Sequence, residues 1–335
     1  MKAAILKKYN KKGNDLEISD IPIPKIDKNE VLVKIKYAGV NPLDNMIIRK
    51  EVKLLIPYKL PLVMGNEFSG IVEEIGENVS EFNIGDRVYC RMPLDKIGAF
   101  TELTAVDKEA IAKIPDYLSF KEAACIPLTA LTAMQSFELM NVKKDESIFI
   151  SGGTGSLGAM AIPIAKSLGL KVITSGSAPN KERVMKLGVD EFFDYKKEDY
   201  SEKLTNIDYV LDTLGDEELE KEFKILKKGG TLVSLKGMPN ERFAERMGLS
   251  TVKKLLFKIL GRKYDNLAKK NQQTYHFIFV ESNGKQLEKI SKIFENNKLE
   301  CSIDEIYDLV DVNKALKKVD NRGSKGKTLI KINGD

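Results

Sequence analysis

The chain has 335 residues, of which 42% are hydrophobic and 31% charged, and its formal net charge is +5. This length predicts two domains, and lysines and acids that alternate along the chain predict a solvated surface rather than a nucleic-acid-binding face. No apolar run reaches membrane-spanning length, and three widely spaced cysteines (Cys90, Cys125 and Cys301) favour reduced thiols in the cytoplasm.

Short strands dominate residues 1–127. Residues 31–37 alternate between apolar and polar side chains with a period of two, and glycines separate further strands such as 70–75 and 86–89. This pattern predicts a compact β barrel. From Ser119 the pattern turns helical, and residues 123–137 are apolar almost all round, which predicts a buried helix.

A glycine-rich turn follows an apolar strand at residues 148–151. The turn carries Gly153, Gly155 and Gly158, and a helical pattern begins at once. Strand, turn and helix in this order are typical of a dinucleotide site, where glycines let backbone N–H groups approach a pyrophosphate at the helix N-terminus. The alternative is a glycine turn that only joins two core elements.

The end of the next strand, residues 171–176, indicates which dinucleotide binds. NAD-selecting sites place an acid there to hold the ribose 2′-hydroxyl, but this chain has none at that point. Ser175, Ser177 and Lys181 are suited to a 2′-phosphate instead, which predicts NADPH. The alternative is that the two serines cap the following helix.

Strands and helices continue to alternate through residue 237, with candidate strands at 191–194, 207–212, 230–235 and 275–280. This alternation predicts a parallel sheet. His276 lies in the last of these strands, where a packed role is favoured over a catalytic one. A C-terminal helix near 284–297 and strands at 305–310 and 327–332 are expected to return to the first domain.

Residues 238–274 form an insertion. Its apolar residues repeat at helical spacing with lysines beside them, which predicts a basic amphipathic helix that ends near Gly261. Such a helix can act as a lid, contact another subunit or lie on a membrane surface.

Several motifs occur in one order along the whole chain, at residues 38–44, 65–70, 85–88, 98–102, 128–133, 152–158 and 326–327. Together they resemble the zinc-free quinone oxidoreductases and alkenal (enone) reductases of the medium-chain dehydrogenase/reductase superfamily. The resemblance implies an α/β fold with a GroES-like β-barrel catalytic domain at 1–127 and 282–335. It also implies a doubly wound Rossmann domain that binds NADPH at 128–281, and a homo-oligomer, for which we expect a dimer.

The resemblance assigns cofactor contacts as well. It places Thr132, Leu214 and Gly215 near the nicotinamide, and Tyr195 and Arg322 at the adenosine end. The phosphate turn comprises Gly152, Gly153, Thr154, Gly155, Ser156, Leu157 and Gly158. Many relatives have a lysine after the serine of the second βα turn, where this chain has Pro179 and Asn180, so that Lys181 is adjacent but out of register. Asn180 is included among the expected cofactor contacts.

Zinc is not expected. A catalytic zinc needs about three protein ligands, whereas the chain has one histidine and three scattered cysteines. Asn41 and Asn66 stand where zinc-dependent relatives carry a cysteine and a histidine ligand.

Without a metal, the expected reaction is hydride transfer to a small acceptor made electrophilic by conjugation, either a quinone or an α,β-unsaturated carbonyl. The predicted catalytic residues are Asn41, which donates to the carbonyl, Asp44, which orients Asn41 or a water, and Tyr58, which donates a proton. Alternatively, Asn41 and Asp44 only build a turn. The competing function is non-catalytic NADPH binding, by a redox-sensing or RNA-associated protein.

Overall fold

The computed structural model describes residues 1–13, 15–321 and 326–334. The chain forms two compact units. The first unit comprises Met1–Leu131 and Glu281–Asp335, and the second unit comprises Thr132–Val280. Both boundaries lie within a few residues of those expected from the sequence.

Short strands dominate the N-terminal part of the chain. In order, the elements are β1 (Lys2–Leu6), β2 (Glu17–Asp20), β3 (Glu30–Val40), α1 (Pro42–Ile48), β4 (Leu62–Val63), β5 (Glu67–Ile75), β6 (Arg87–Arg91), β7 (Leu103–Asp107), β8 (Ile111–Lys113), α2 (Phe120–Ala123) and α3 (Pro127–Met140). The expected apolar helix is thus split into α2 and α3, and most side chains of α3 are buried.

Strands and helices then alternate. The elements are β9 (Ser147–Ile150), α4 (Ser156–Ser167), β10 (Lys171–Gly176), α5 (Lys181–Lys186), β11 (Glu191–Asp194), β12 (Ile207–Asp212), α6 (Asp216–Ile225), β13 (Leu226–Ser234), α7 (Glu241–Arg246), α8 (Thr251–Lys270) and β14 (Thr274–Phe277). The C-terminal elements are α9 (Gly284–Asn297), β15 (Ile303–Asp308), α10 (Val312–Asp320) and β16 (Lys327–Lys331).

The main sheet of the first unit has seven strands. Strands β15, β16, β3, β5, β6 and β8 pair in that order, and β7 also pairs with β3. Bulges bend β3 at two places along its pairing with β5, and bulges increase the local twist of a strand. The smaller sheet has the order β2, β1, β4. The strand-rich, GroES-like unit predicted from the sequence is confirmed.

The sheet of the second unit has six strands, in the order β11, β10, β9, β12, β13, β14. Every described pairing within it is parallel. This is the strand order of a Rossmann fold, and it confirms the predicted parallel sheet. The carboxyl ends of β9, β10 and β12 are therefore adjacent at one edge, where such sheets bind their ligands.

The predicted end of the inserted helix was wrong. Helix α8 continues nine residues beyond Gly261, to Lys270. Gly261 is buried, and a Cβ there would lie 2.5 Å from the Cβ of Asn240. The glycine is therefore needed for close packing inside the helix rather than for ending it.

Candidate active site

The glycines of the phosphate turn are required by close contacts. A Cβ on Gly153 would lie 2.0 Å from Oγ1 of Thr174, and one on Gly158 would lie 2.2 Å from the carbonyl oxygen of Gly153. Gly152 has a φ of +62°, which other residues rarely adopt. The turn can therefore keep this shape only with glycines at these positions.

The turn leads into α4, whose N-cap is Gly155. Neither a capping side chain nor an acidic residue occupies the first turn of this helix. The first backbone N–H groups of a helix have no partner within it, and the helix dipole favours an anion at that end. The backbone N–H of Gly155 already donates to the carbonyl oxygen of Gly152 at 3.0 Å, so Ser156 and Leu157, the first residues of α4, offer the donors suited to a pyrophosphate.

Thr174, near the end of β10, holds the turn against the sheet. Its Oγ1 accepts a hydrogen bond from the backbone N–H of Gly153 at 3.1 Å and donates one to the carbonyl oxygen of Ile150 at 2.6 Å. No role for Thr174 could be predicted from the sequence, because a threonine in a predicted strand has no distinguishing pattern.

Arg183 was also missed. Its Nη2 donates to the carbonyl oxygen of Thr154 in the phosphate turn. Its Nε is buried and has no hydrogen-bond partner among the described residues, and burial lowers the pKa of this guanidinium. Arg183 therefore places a partly desolvated cation beside the phosphate turn, from the first turn of α5.

The three residues expected to hold the 2′-phosphate lie at and just after the end of β10, and they differ in how far they are exposed to solvent. Ser175 is buried in β10, and Ser177 is half-buried and accepts a hydrogen bond from Nδ2 of Asn180 at 3.0 Å. Ser177 caps a short 3₁₀ turn, although its side chain makes no capping bond. Lys181 is exposed, with its Nζ 6.0 Å from the ring centre of Phe192.

Tyr195 is exposed, and its backbone N–H donates to the carbonyl oxygen of Gly176 at 3.3 Å. Tyr195 therefore directly follows β11 and lies beside the end of β10, and its contact with adenosine stays a prediction. Thr132 is buried in α3 and accepts a hydrogen bond from Ser136 Oγ at 2.7 Å. Arg322 lies outside the residues that the structure describes.

Asp212 shapes the turn that contains Leu214 and Gly215. Its Oδ1 accepts hydrogen bonds from both of their backbone N–H groups, each at 2.8 Å, and its Oδ2 accepts one from Ser234. This turn adjoins the phosphate turn, because a Cβ on Gly152 would lie 3.2 Å from Cδ2 of Leu214. The structure thus brings together the expected phosphate and nicotinamide contacts.

The first unit contains a buried polar cluster around Asn41, which is 3% exposed. Asn41 Nδ2 donates to Oε1 of Glu67 at 2.7 Å, and its Oδ1 accepts from Nζ of Lys327 at 2.6 Å. Glu67 and Lys327 are themselves a buried ion pair. We call these three residues the Asn41 cluster. Glu67 and Lys327 lie in motifs that carry the family resemblance, but no local pattern predicts a role for either residue.

Local sequence explains how the cluster forms. Glu67 begins β5, and a Cβ on Gly39 would lie 2.4 Å from Glu67 Oε1, so only glycine leaves room for this carboxylate. The other oxygen, Oε2, accepts from the backbone N–H of Leu128 at 2.8 Å. The acid therefore has a donor at each oxygen, which a buried carboxylate requires.

Asp44 lies behind Asn41 in the first turn of α1. Its Oδ2 accepts from the backbone N–H of Asn41 at 2.8 Å, and its Oδ1 accepts from Nδ2 of Asn66 at 2.7 Å. Burial raises the pKa of Asp44 to about 7, although the two hydrogen bonds oppose this shift. The contact with the Asn41 backbone supports the predicted orienting role.

Tyr58 and Arg91 form a second pair of polar groups in the first unit. Burial raises the pKa of Tyr58 to about 12, while the charge of Arg91 opposes this shift, so the phenol stays protonated at neutral pH. Arg91 is fully buried, and its Nε and Nη2 have no hydrogen-bond partner among the described residues. Buried donors without protein partners are rare, so the Arg91 guanidinium is a candidate contact for a bound group.

His276 is half-buried in β14, and burial lowers its pKa to about 4. It is therefore neutral at physiological pH. Its Nδ1 has no hydrogen-bond partner within the described part of the chain. These observations agree with a packed histidine in a strand.

The side chains at the two zinc-ligand positions do not fit a zinc ion. Asn41 and Asn66 are neutral amides, and both donate hydrogen bonds to carboxylates. Across residues 1–13, 15–321 and 326–334, no group of three or more His, Cys, Asp or Glu side chains is arranged to hold a metal.

Comparison with known proteins gives two family matches. The family described as "Alcohol dehydrogenase GroES-like domain" matches residues 27–116, and the one described as "Zinc-binding dehydrogenase" matches residues 187–330. The two matches fall on the strand-rich unit and mainly on the parallel-sheet unit, respectively.

The names of similar proteins indicate which branch of the superfamily the chain belongs to. A mouse protein named quinone oxidoreductase is 31% identical over 225 residues, which cover 64% of this chain and 67% of the mouse protein. The chain belongs to the quinone oxidoreductase branch of the medium-chain dehydrogenase/reductase superfamily. A Dictyostelium discoideum NAD(P)H oxidoreductase (RTN4IP1, mitochondrial) is 29% identical over 98% of this chain and 99% of its own length.

A third relative carries the name of an enone reductase. The tomato 2-methylene-furan-3-one reductase is 34% identical over 71% of this chain and 63% of that protein. Among solved structures, the quinone oxidoreductase from Coxiella burnetii superimposes with a TM-score of 0.81 at 27% identity, covering 99% of both chains. As a member of the quinone oxidoreductase branch, the protein is an NAD(P)H-dependent oxidoreductase.

Among the described helices of this quinone oxidoreductase family member, none is both long and apolar enough to cross a bilayer.

Proposed function

We propose that the protein is a zinc-independent, NADPH-dependent reductase that transfers a hydride to a quinone or to the conjugated C=C bond of an α,β-unsaturated carbonyl. The phosphate turn of the second unit would hold the dinucleotide, and the polar groups around Asn41 in the first unit would hold the acceptor. The observation that carries the proposal is the buried Asn41 cluster at a position where zinc-dependent relatives carry a ligand, because one hydrogen of Asn41 Nδ2 is held there only by a 3.4 Å contact with the carbonyl oxygen of Gly39.

Selection of NADPH is supported by charge at the end of β10. The chain has no acid there to bind a ribose 2′-hydroxyl. Instead, Arg183 lies against the phosphate turn, and Lys181 and Tyr195 lie in the same region. An arginine can bind a phosphate through two N–H groups, and the buried Nε of Arg183 has no hydrogen-bond partner among the described residues.

Bound NADPH supplies the hydride, so the protein needs to position the acceptor and stabilise the charge that its oxygen gains. Asn41 can donate to that oxygen. The contact from its Nδ2 to the carbonyl oxygen of Gly39 is 3.4 Å long, which is close to the limit for a hydrogen bond. A substrate oxygen that accepts this N–H of Asn41 would therefore break only a weak hydrogen bond to Gly39.

Arg91 and Tyr58 extend this proposal. Within the described part of the chain, two guanidinium nitrogens of Arg91 have no hydrogen-bond partner, and a charged donor stabilises an oxyanion better than a neutral one. The protonated Tyr58 phenol adds a second donor. Asp44 has no direct role with the acceptor here and acts by fixing the backbone of Asn41.

The cytoplasmic location and the homodimer stay predictions. The three cysteines (Cys90, Cys125 and Cys301) are free thiols, which supports a reducing compartment. The relative from Dictyostelium discoideum is named as mitochondrial, so the compartment needs its own test by microscopy of the tagged protein.

An acceptor screen tests the proposed function. NADPH oxidation would be followed at 340 nm with quinones, 2-alkenals and cyclic enones, with NADH as the matched control donor. We expect turnover with at least one conjugated acceptor and none with a saturated ketone. Binding of NADPH without oxidation by any acceptor would favour the competing non-catalytic function.

A further inference from the structure

Helix α8 (Thr251–Lys270) has two apolar faces. The face formed by Phe257, Gly261, Tyr264 and Ala268 is buried against the second unit. On the opposite side lie five apolar side chains that are exposed to solvent, namely Val252, Leu255, Leu256, Ile259 and Leu260. We call this the outer face of α8.

The buried face fixes the orientation of the helix. The ring of Phe257 meets that of Phe243 edge-on at 6.0 Å, and the ring of Tyr264 lies 5.3 Å from that of Tyr275. Asn240 Nδ2 donates to Oδ1 of Asp265 at 2.7 Å. Because these contacts hold α8 from one side, the outer face cannot turn inward without breaking them.

The outer face is unusually apolar for a surface. Val252, Leu255 and Ile259 are 78%, 60% and 64% exposed. Their spacing of three and four residues places them in one stripe along the helix. A contiguous exposed apolar stripe on a water-soluble surface indicates a binding face.

The charge of α8 indicates what this face binds. The helix carries seven lysines and arginines and one acid, so its formal charge is +6, against +5 for the whole chain. On a helical wheel, Lys253 flanks one side of the apolar stripe and Arg262 flanks the other. Lys258 also borders the stripe but pairs with Glu241 at 3.0 Å, and Lys263 pairs with Glu220 at 2.9 Å. An apolar stripe bordered by basic residues matches a bilayer surface that contains anionic lipids.

We infer that the outer face of α8 docks the protein onto the surface of membranes that contain anionic lipids. The helix lies in the interface, with the stripe toward the acyl chains and the basic residues among the headgroups. A second copy of the chain is a poorer occupant, because a two-fold contact through this face would bring two helices of charge +6 together. The inference does not depend on the proposed reductase reaction.

Vesicle sedimentation with the full-length protein tests the inference. The protein would be mixed with vesicles of phosphatidylcholine alone or with about 30% phosphatidylglycerol. We expect at least about tenfold stronger partitioning onto the anionic vesicles. The variant Leu255→Asp/Ile259→Asp should abolish this binding. The matched control, Ile84→Asp/Val310→Asp, changes side chains that are 67% and 68% exposed in the first unit and should bind like the parent protein.

The variant Lys253→Gln/Arg262→Gln measures the contribution of charge. We expect the partition coefficient onto anionic vesicles to fall by about fivefold for each basic residue replaced, and the partition coefficient onto neutral vesicles to stay unchanged. Circular dichroism and dinucleotide affinity would show that each variant is folded. Equal sedimentation of parent and Leu255→Asp/Ile259→Asp would overturn the inference. A second result would also overturn it: the parent protein does not bind vesicles and is an oligomer, whereas Leu255→Asp/Ile259→Asp is a monomer. The outer face of α8 would then be a subunit contact.

Discussion

Lys327 donates a hydrogen bond from Nζ to Oδ1 of Asn41 at 2.6 Å, although 286 positions separate the two residues in the chain. The contact follows from sheet register, because β16 pairs antiparallel with β3 and Thr328 lies opposite Val40. The last described strand therefore completes a polar cluster whose other members come from the first 70 residues. The Asn41 cluster cannot form until the C-terminal segment has joined the sheet.

Removing the positive charge of the Asn41 cluster should destabilise the first unit. Lys327→Met leaves the carboxylate of Glu67 buried without its cation, which we expect to lower the free energy of unfolding by about 3–5 kcal/mol. Urea unfolding at neutral pH measures this. Lys331→Met, an exposed position in the same strand, is the control and should change stability little.

The double variant Lys327→Met/Glu67→Gln separates charge from packing. If an unpaired charge causes the loss, then neutralising Glu67 should recover part of the stability lost in Lys327→Met. A double variant that is less stable than Lys327→Met would contradict the buried ion pair as the source of the effect.

Asn41→Ala should impair the chemical step. We expect kcat/KM for an enone or quinone to fall by about tenfold to a thousandfold, because one donor to the developing oxyanion is lost. The dissociation constant for NADPH should stay nearly unchanged, since Asn41 lies in the other unit. Steady-state kinetics and calorimetric titration give the two quantities. Full turnover in a folded Asn41→Ala protein would show that the residue only forms a turn.

Asp44 should make stability depend on pH. Its pKa rises from the ordinary 3.8 to about 7 in the folded protein, so the folded state binds the proton more tightly than the unfolded chain. The stabilisation from this group is therefore complete below about pH 3.8 and is lost as pH rises through 7. Asn66 Oδ1 has no hydrogen-bond partner among the residues that the structure describes, and a rotated Asn66 amide would accept the proton of Asp44.

The comparison with Asp44→Asn isolates this group from other buried acids. We expect the free energy of unfolding of the parent protein, relative to that of Asp44→Asn, to fall between pH 5 and pH 8. The exposed Asp20→Asn is the control and should show no such trend. A difference between parent and Asp44→Asn that is constant across this range would mean that Asp44 keeps an ordinary pKa.

The sequence was sufficient for features that depend on local pattern. Period-two alternation located β3, and the strand–glycine–helix order located the phosphate turn, because both signals lie within a few neighbouring residues. The partners of Asn41 were not predictable in the same way. Glu67 and Lys327 are charged residues in apolar strands, which is a warning of a buried pair, but only the register of β16 on β3 shows that they meet.

The end of α8 and the contact of Arg183 also differ from the prediction because both depend on packing between elements that are distant in sequence. The helix was predicted to end near Gly261 because glycine is common just after the end of a helix. In the structure the helix continues, and Gly261 is where Asn240 packs closely against it. Arg183 received no role because it stands inside α5, where a surface arginine is ordinary. Its contact with Thr154 depends on how α5 lies against the phosphate turn, which no local pattern specifies.

Arg183 should determine the preference for NADPH. We expect NADPH to bind at least about tenfold more tightly than NADH, and Arg183→Ala to weaken NADPH binding by about tenfold or more with little effect on NADH, because only NADPH carries the 2′-phosphate. Lys181→Ala should weaken NADPH binding less than Arg183→Ala does. Calorimetric titration with both nucleotides, with the exposed Lys186→Ala as control, measures these changes. Equal affinity for the two nucleotides in the parent protein would refute the assignment of NADPH.

Transfer of deuterium from NADPH labelled at C4 of the nicotinamide tests the central claim most directly. The measurement uses purified protein whose zinc content has been determined by elemental analysis, with a cyclic enone or quinone as acceptor. We predict one NADPH consumed per acceptor reduced, deuterium at the β-carbon of the enone, and far less than one zinc per chain, with activity unchanged by chelators. Activity that rises in proportion to bound zinc, or failure of every conjugated acceptor to oxidise NADPH, would contradict the account.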